Sequence, residues 1–289
     1  MRVDKKKEKV LTHLEDILSA LKNDPAALKR LSWIKPWSNP PRNLAGRQYN
    51  GGNVHILNFA SVVSSYKHNR WGTFNQYKKY GASIIKGSSA TPIYYYNVKK
   101  YTKEDENGEE KEYTYYVFKY FNLFNIAQTT LEIERLPGVE YKEVEYTTPE
   151  RIRRGYCDNG GPEYQESGDR AFYRPGGDLV CLPPRETFHS SAEYASTLYH
   201  ELVHSTGHEK RLDRGFSLSR GGEGYALEEL VAETGALILC DRSGINPDVN
   251  NFKAYIASWL QAVKSDQRYK TFSALSQAEK AVDYILGER

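Results

Sequence analysis

The stretch His200-Glu201-Leu202-Val203-His204 limits what this chain can fold into more than any other, because its chemistry needs a helix. Residues four apart on a helix are offset by about 40° and one turn, so His200 and His204 project side by side and can offer ring nitrogens to one cation. Glu201 points toward the neighbouring flank, where its carboxylate can take a proton from an attacking water without ligating the metal. Imidazole nitrogens suit Zn2+ well and also accept Mn2+ or another divalent metal. Ser191 to Ser205 is expected to form the helix, with Asp178 to Leu182 as a short apolar strand before it. The plain alternative is a pair of surface histidines on an ordinary helix.

Two histidines do not complete a catalytic zinc site, which normally has three protein ligands and an open position. A histidine six residues past His204 would mark the metzincin pattern, but that position is Lys210. His208 is nearer; Gly207 is placed to end the helix and swing it aside, which makes His208 an outer or capping residue. The next expected helix, Ala226 to Leu239, carries Glu229 and Glu233 four apart on a face with Ala226, Ala232 and Ala236, leaving room for a metal and a facing helix. Two carboxylates on such a face are costly without a cation or donor to neutralise them. The expectation is Glu229 as third ligand and Glu233 as acceptor for the outer N–H of His200, with Glu228 competing for the ligand role. Ion-paired surface glutamates are the alternative. The chemistry this set serves is amide hydrolysis, with Glu201 as the catalytic base that passes the proton to the leaving nitrogen; Tyr225 and His208 are candidates to steady the oxyanion. The chain therefore reads as a zinc metallopeptidase acting on a protein substrate that the sequence does not identify.

At 289 residues the chain is comfortable for two domains of ordinary size. Before the histidine helix, helical periodicity predicts helices over Lys5 to Leu21, Ala26 to Leu31 and Asn53 to Tyr66, and a short one from the N-cap Thr73 to Gly81. Trp33 to Gly52 is expected as a loop. Ile93 to Tyr101 and Tyr113 to Phe121 flank an Asn107-Gly108 turn signal and predict an antiparallel hairpin. After it, a glycine-rich loop (Gly215 to Gly224) and helices over Phe252 to Val263 and Ser276 to Leu286 are expected. The fold class is α+β, with a small α+β domain over 1–130, a charged connector over 131–150 and a helix-rich domain over 151–289.

The net charge of +3 conceals a split: residues 1–130 hold 21 Lys/Arg against 11 Asp/Glu, a net of +10, and residues 131–289 hold 19 against 26, a net of −7. The basic half is the one a polyanion would meet. Within it, cations and flat rings interleave: Trp33, Trp37, Arg42, Arg47, Tyr49, Arg70, Trp71, Phe74, Tyr77, Lys78, Lys79 and Lys86. Single-stranded nucleic acid needs both kinds of group, whereas duplex binding needs mainly cations, so single-stranded DNA is the expected partner and double-stranded DNA the weaker one. The bland reading puts the tryptophans in a core and the lysines in solvent. No apolar run of about 18 residues crosses a bilayer, no signal-peptide pattern opens the chain, and Cys157, Cys181 and Cys240 fit reduced thiols. A cytoplasmic protein is expected.

Five stretches resemble the ArdC antirestriction proteins of conjugative plasmids, whose amino-terminal domain is shared with TraC-type primases. They are Gly46 to Asn53, Arg70 to Gln76, Gly81 to Gly87, Phe121 to Thr129, and His200 to His208 continuing through Arg211 to Arg214 and Glu228 to Glu233. The resemblance implies an amino-terminal single-stranded DNA-binding domain, Asn53 among its matching residues, joined to a gluzincin-like metallopeptidase domain. It further implies shielding of incoming plasmid DNA from restriction during conjugation. In gluzincins the third ligand is a Glu followed four residues later by a carboxylate; Glu229 with Glu233 fits, with Glu in place of the more usual Asp. Occlusion of restriction enzymes with a structural metal, and a metal-dependent nuclease or amidase, are the competing readings.

Overall fold

The computed structural model describes residues 5–24, 26–27, 40–104, 110–138, 148–215, 224–247, 249–265 and 268–288. Trp33, Trp37, the expected helix beyond residue 27, the Asn107-Gly108 turn, residues 139–147 of the connector and most of the glycine-rich loop lie outside them.

The amino-terminal half runs α1 (Lys5–Asn23), β1 (Arg42–Asn43), α2 (Gly52–Val63), β2 (Arg70–Gly72), α3 (Phe74–Lys79), β3 (Thr91–Glu104) and β4 (Glu110–Asn125). The four strands form one sheet in the order β1-β2-β4-β3, parallel between β1 and β2 and antiparallel elsewhere. The hairpin is longer than its apolar runs predict, because the register continues unbroken from Thr91 opposite Leu123 to Glu104 opposite Glu110. Thr73 opens α3 as expected, through a capping box: its backbone N–H donates to Gln76 Oε1 at 2.7 Å and its Oγ1 accepts from the Gln76 backbone at 3.3 Å.

The second half contains α4 (Pro149–Cys157), β5 (Glu163–Glu166), β6 (Phe172–Arg174), β7 (Leu179–Leu182), α5 (Ser191–Ser205), α6 (Tyr225–Arg242), α7 (Val249–Lys264) and α8 (Thr271–Leu286). The wholly buried β7 is the centre of a three-stranded sheet, β5-β7-β6. Helix α5 packs on β6 and β7, and α6 lies along α5 and reaches α7 and α8. Gly235 sets the α5–α6 approach: a Cβ there would stand 2.7 Å from Val203 Cγ2, closer than real side chains pack. The α+β class is as expected, while α4 and the short strands β1, β2, β5 and β6 are additions that periodicity does not signal.

Both halves share one core. Leu11, Leu14 and Leu18 of α1 and Phe59 of α2 belong to the same cluster as Tyr255 and Trp259 of α7 and Ala278 of α8. Phe59 meets Trp259 edge-on with ring centroids 5.4 Å apart. The buried His55 of α2 is hydrogen-bonded through Nδ1 to the Tyr255 hydroxyl, and burial pushes this imidazole down to about 3. The Gly51 backbone N–H donates to Glu279 Oε1 of α8 at 3.0 Å. A smaller cluster, including Leu44, Tyr77, Ile126 and Leu131, underlies α3.

Candidate metal centre and nucleic-acid-binding residues

Helix α5 starts where Ser190 caps it, its hydroxyl accepting the Glu193 backbone N–H at 3.1 Å. One turn apart near its end, His200 and His204 place their Nε2 atoms 3.0 Å from each other. Glu229 of α6 faces both, with Oε1 3.4 Å from His204 Nε2 and Oε2 3.9 Å from His200 Nε2. One donor atom from each of the three residues lies within 4.8 Å of the others. Two ring nitrogens at 3.0 Å beside a carboxylate repel unless a proton or a cation sits among them. Two imidazoles and one carboxylate, leaving an open side, fit a divalent cation.

The carboxylates around His204 favour its protonated form. Burial opposes its charge, but the hydrogen bonds to Glu228 and Glu229 outweigh burial and push it up to about 10. Glu229 shows the converse: burial favours its neutral form, and the His204 hydrogen bond with the charges of both histidines pulls it down to about 2. Burial pushes Glu233 up. A bound divalent cation would take the proton's place as the neutralising charge.

The outer contacts are built from α6 and from the turn after α5. His200 Nδ1 stands 3.4 Å from Glu233 Oε1, the placement expected for Glu233. Glu228, weighed from the sequence as a rival ligand, points elsewhere: fully buried, it reaches His204 from behind, Oε1 lying 3.1 Å from Nδ1. Its other neighbour is Arg214, whose Nε donates to Oε2 at 3.0 Å and whose Nη2 donates to Oε1. Arg214 Nη2 also donates to the Val203 carbonyl at 2.9 Å, tying the turn to the end of α5. Arg214 carries no physical signal in the sequence beyond its place in a resembling stretch.

Glu201 is buried beside the histidines, and its charge is felt at His204 and Glu233. Its carboxylate makes no hydrogen bond among the described residues, which leaves it available to a water. His208 is outside the converging donors; its Nδ1 accepts the Lys210 backbone N–H at 3.2 Å, so it braces the turn rather than a ligand. Tyr225 hydrogen-bonds Glu229.

The expected nucleic-acid residues divide sharply. Trp71 and Tyr77 have no exposed surface: the Trp71 Nε1–H donates to Asn69 Oδ1 at 2.7 Å and the Tyr77 hydroxyl to the Phe124 carbonyl at 3.1 Å. Neither ring can stack on a base, because packing claims both faces. Arg70 is also buried, donating to the Asn43 and Pro137 carbonyls at 3.0 and 2.6 Å. Asn53 clamps β3, its Nδ2 donating to the Tyr94 carbonyl at 2.7 Å and its Oδ1 accepting the Tyr94 N–H at 3.1 Å. Trp71, Tyr77 and Arg70 are frame, and the half-buried Asn53 has its amide engaged by β3. Tyr49 is half-buried, which pushes its hydroxyl up to about 12, and Arg42, also half-buried, donates to the Gly46 carbonyl at 3.1 Å. Arg47, Phe74, Lys78, Lys79 and Lys86 are exposed.

A His-Glu-x-x-His helix, a facing glutamate on the next helix and a small flanking sheet define a zincin-like metal centre. Residues 155–277 match the family model of a zincin-like metallopeptidase, and residues 12–124 match that of the N-terminal domain of anti-restriction factor ArdC. The crystal structure of the antirestriction ArdC protein of plasmid R388 is similar over 98% of this chain and 95% of its own in metal-free form, with 33% identity and a TM-score of 0.62. Its Mn(II)-bound form is similar over 96% and 97%, with 34% identity and the same TM-score. The chain belongs to the ArdC family of antirestriction proteins. Two Escherichia coli proteins described as DNA primase TraC are each 34% identical over 88% of this chain, which spans only 25% and 18% of their lengths.

Proposed function

We propose that this protein binds single-stranded DNA and hydrolyses a peptide bond in a protein that meets it there, protecting incoming plasmid DNA from restriction during conjugation. The cytoplasm is the compartment of that encounter, and no described helix is long and apolar enough to cross a membrane. The observation that carries the hydrolytic reading is the convergence of His200, His204 and Glu229 beside a buried carboxylate, Glu201, that makes no hydrogen bond among the described residues. Zinc suits this donor set and manganese is also accommodated; when bound, the cation supplies Lewis-acid polarisation of the scissile carbonyl. Glu201 takes the proton of the attacking water and delivers it to the leaving nitrogen. Glu233 and Glu228 fix the two imidazoles from behind, so that each presents Nε2.

Glu201→Gln preserves shape and leaves the three ligands in place. It should keep metal content at the wild-type level while proteolysis falls by roughly 100-fold or more, the scale of general-base catalysis. Undiminished proteolysis in a metal-loaded Glu201→Gln protein would overturn the mechanism.

One observation favours a second reading. The ligands join α5 to α6, so a cation there would also brace the fold, and DNA binding alone would then occlude restriction enzymes. Full protection by a folded Glu229→Ala protein would select occlusion.

A further inference from the structure

Strands β1 and β2 pair in parallel with Arg42 directly beside Arg70. Neighbouring strands lie about 4.8 Å apart and paired residues share a face, so two guanidinium side chains leave the sheet side by side. Both reach the same turn: Arg42 Nη1 donates to the Gly46 carbonyl at 3.1 Å and Arg70 Nη1 to the Asn43 carbonyl at 3.0 Å. A carbonyl satisfies an N–H without cancelling its charge, and like charges across a strand pair destabilise it. Water offers little relief, because Arg70 is 7% exposed and Arg42 is half-buried.

The two arginines line a cavity of about 590 Å³ whose wall also holds the exposed Lys67. Its one carboxylate, Glu134, is exposed, and among the described residues neither Arg42 nor Lys67 has an acidic partner. Arg42 Nη2 makes no hydrogen bond among the described residues, and its Nε is buried without one. Other cavities are balanced or acidic: Arg151 shares one with Glu288, and Arg242 another with Asp241, Glu279 and Asp283. The cavity beside α1 has a single lysine, Lys86, and no arginine. Among these cavities the marked excess of cation belongs to the β1–β2 edge.

We propose that this cavity holds a backbone phosphate of single-stranded DNA, its oxygens accepting from Arg42 and from the ammonium of Lys67, above the charge of Arg70. The inference rests on the single-strand-binding reading above and gives the strand an anchor. A phosphodiester suits the place: it carries one negative charge, and its two free oxygens match the planar donors of a guanidinium. Arg70 is frame by its hydrogen bonds to carbonyls and still supplies positive charge at the floor of the cavity.

The test is anisotropy of a labelled dT20 oligonucleotide titrated with the full chain at several salt concentrations. Arg42→Gln and Lys67→Gln should each make the slope of log K against log salt shallower by about 0.7, the value for one phosphate contact on a single strand. Relative to a reference at about 1 M salt, that slope gives a roughly fivefold loss of affinity at about 0.1 M. Because both residues hold the same phosphate, the double variant should lose little more slope than either single one. Lys280→Gln, at an exposed lysine of α8, should leave the slope unchanged. Cavity variants with the wild-type slope would overturn the anchor while leaving single-strand binding intact, and a doubled loss in the double variant would refute the shared phosphate. A wild-type protein that ignores dT20 would overturn both readings. Acetylation footprinting of the unmodified protein needs no variant to fold: dT20 should protect Lys67 and spare no other face, leaving Lys280 as reactive as before. Lys67 acetylated equally with and without dT20 refutes the anchor. Equal protection by inorganic phosphate at the same phosphate concentration would make the cavity a free-anion site and overturn its role in holding a strand.

Discussion

Replacing Glu228 with alanine removes two things at once: the acceptor behind His204 Nδ1 at 3.1 Å and the counter-charge of the buried Arg214. The two losses have separate readouts. Outer partners of metal-ligating histidines are worth roughly 10- to 100-fold in metal affinity, so Glu228→Ala should raise the metal Kd by that factor in a chelator competition. Leaving one member of a buried ion pair alone costs about 3–5 kcal/mol, and the side chains of Arg214 and Glu228 are 1% and 0% exposed, so little solvent relief is on hand. For a chain of this size that lowers Tm by on the order of 10 °C. Glu228→Gln separates the effects. Its carbonyl still accepts from His204, so metal affinity should stay near wild type, while Arg214 remains unpaired and Tm falls almost as far. Equal loss of metal affinity in the Ala and Gln variants would show that the hydrogen bond to His204 does not orient the ligand. A Glu228→Ala protein with undiminished affinity would remove Glu228 from the centre altogether.

Two other measurements probe the frame. His55 is neutral in the fold down to about pH 3 but takes a proton near pH 6.5 once unfolded, so stability falls as pH drops through that window. Between pH 6.5 and 5 this amounts to about 2 kcal/mol at about 1.4 per unit, and His55→Gln should flatten that part of the denaturation-against-pH curve; an unchanged slope would mean His55 is not the group responsible. Trp71→Phe, which keeps an apolar ring in the core, should retain DNA affinity within about twofold, whereas Trp71→Ala should lose roughly 3–5 kcal/mol of stability. Selective loss of dT20 binding by the Phe variant, with stability kept, would return Trp71 to the binding surface.

The metal centre was legible because its residues obey a strong local rule. His200 and His204 share a helix face wherever Ser191–Ser205 is helical, and Glu229 and Glu233 share one on the next helix, so only the meeting of the two faces had to be inferred. Glu228 was ambiguous for the same reason: it adjoins Glu229 in the chain, and which of two neighbouring carboxylates meets the histidines depends on the rotation of α6 against α5, which packing at Val203 and Gly235 fixes. The expected nucleic-acid residues lie in a stretch with little periodicity, and without a period an aromatic ring carries no indication of which side is solvent. Trp71 and Tyr77 pack inward. The strands β5 and β6 escaped notice because β7 supplies most of the buried surface of their sheet.

The core that α1 and α2 share with α7 and α8 bears on heredity as well as on stability. Cut between the halves, the chain would leave Phe59 on one fragment and Trp259 on the other facing water, with His55 parted from Tyr255. The much longer TraC relatives match across 88% of the chain, on both sides of the segment over 131–150, as expected of a unit whose two halves share one core and are inherited together.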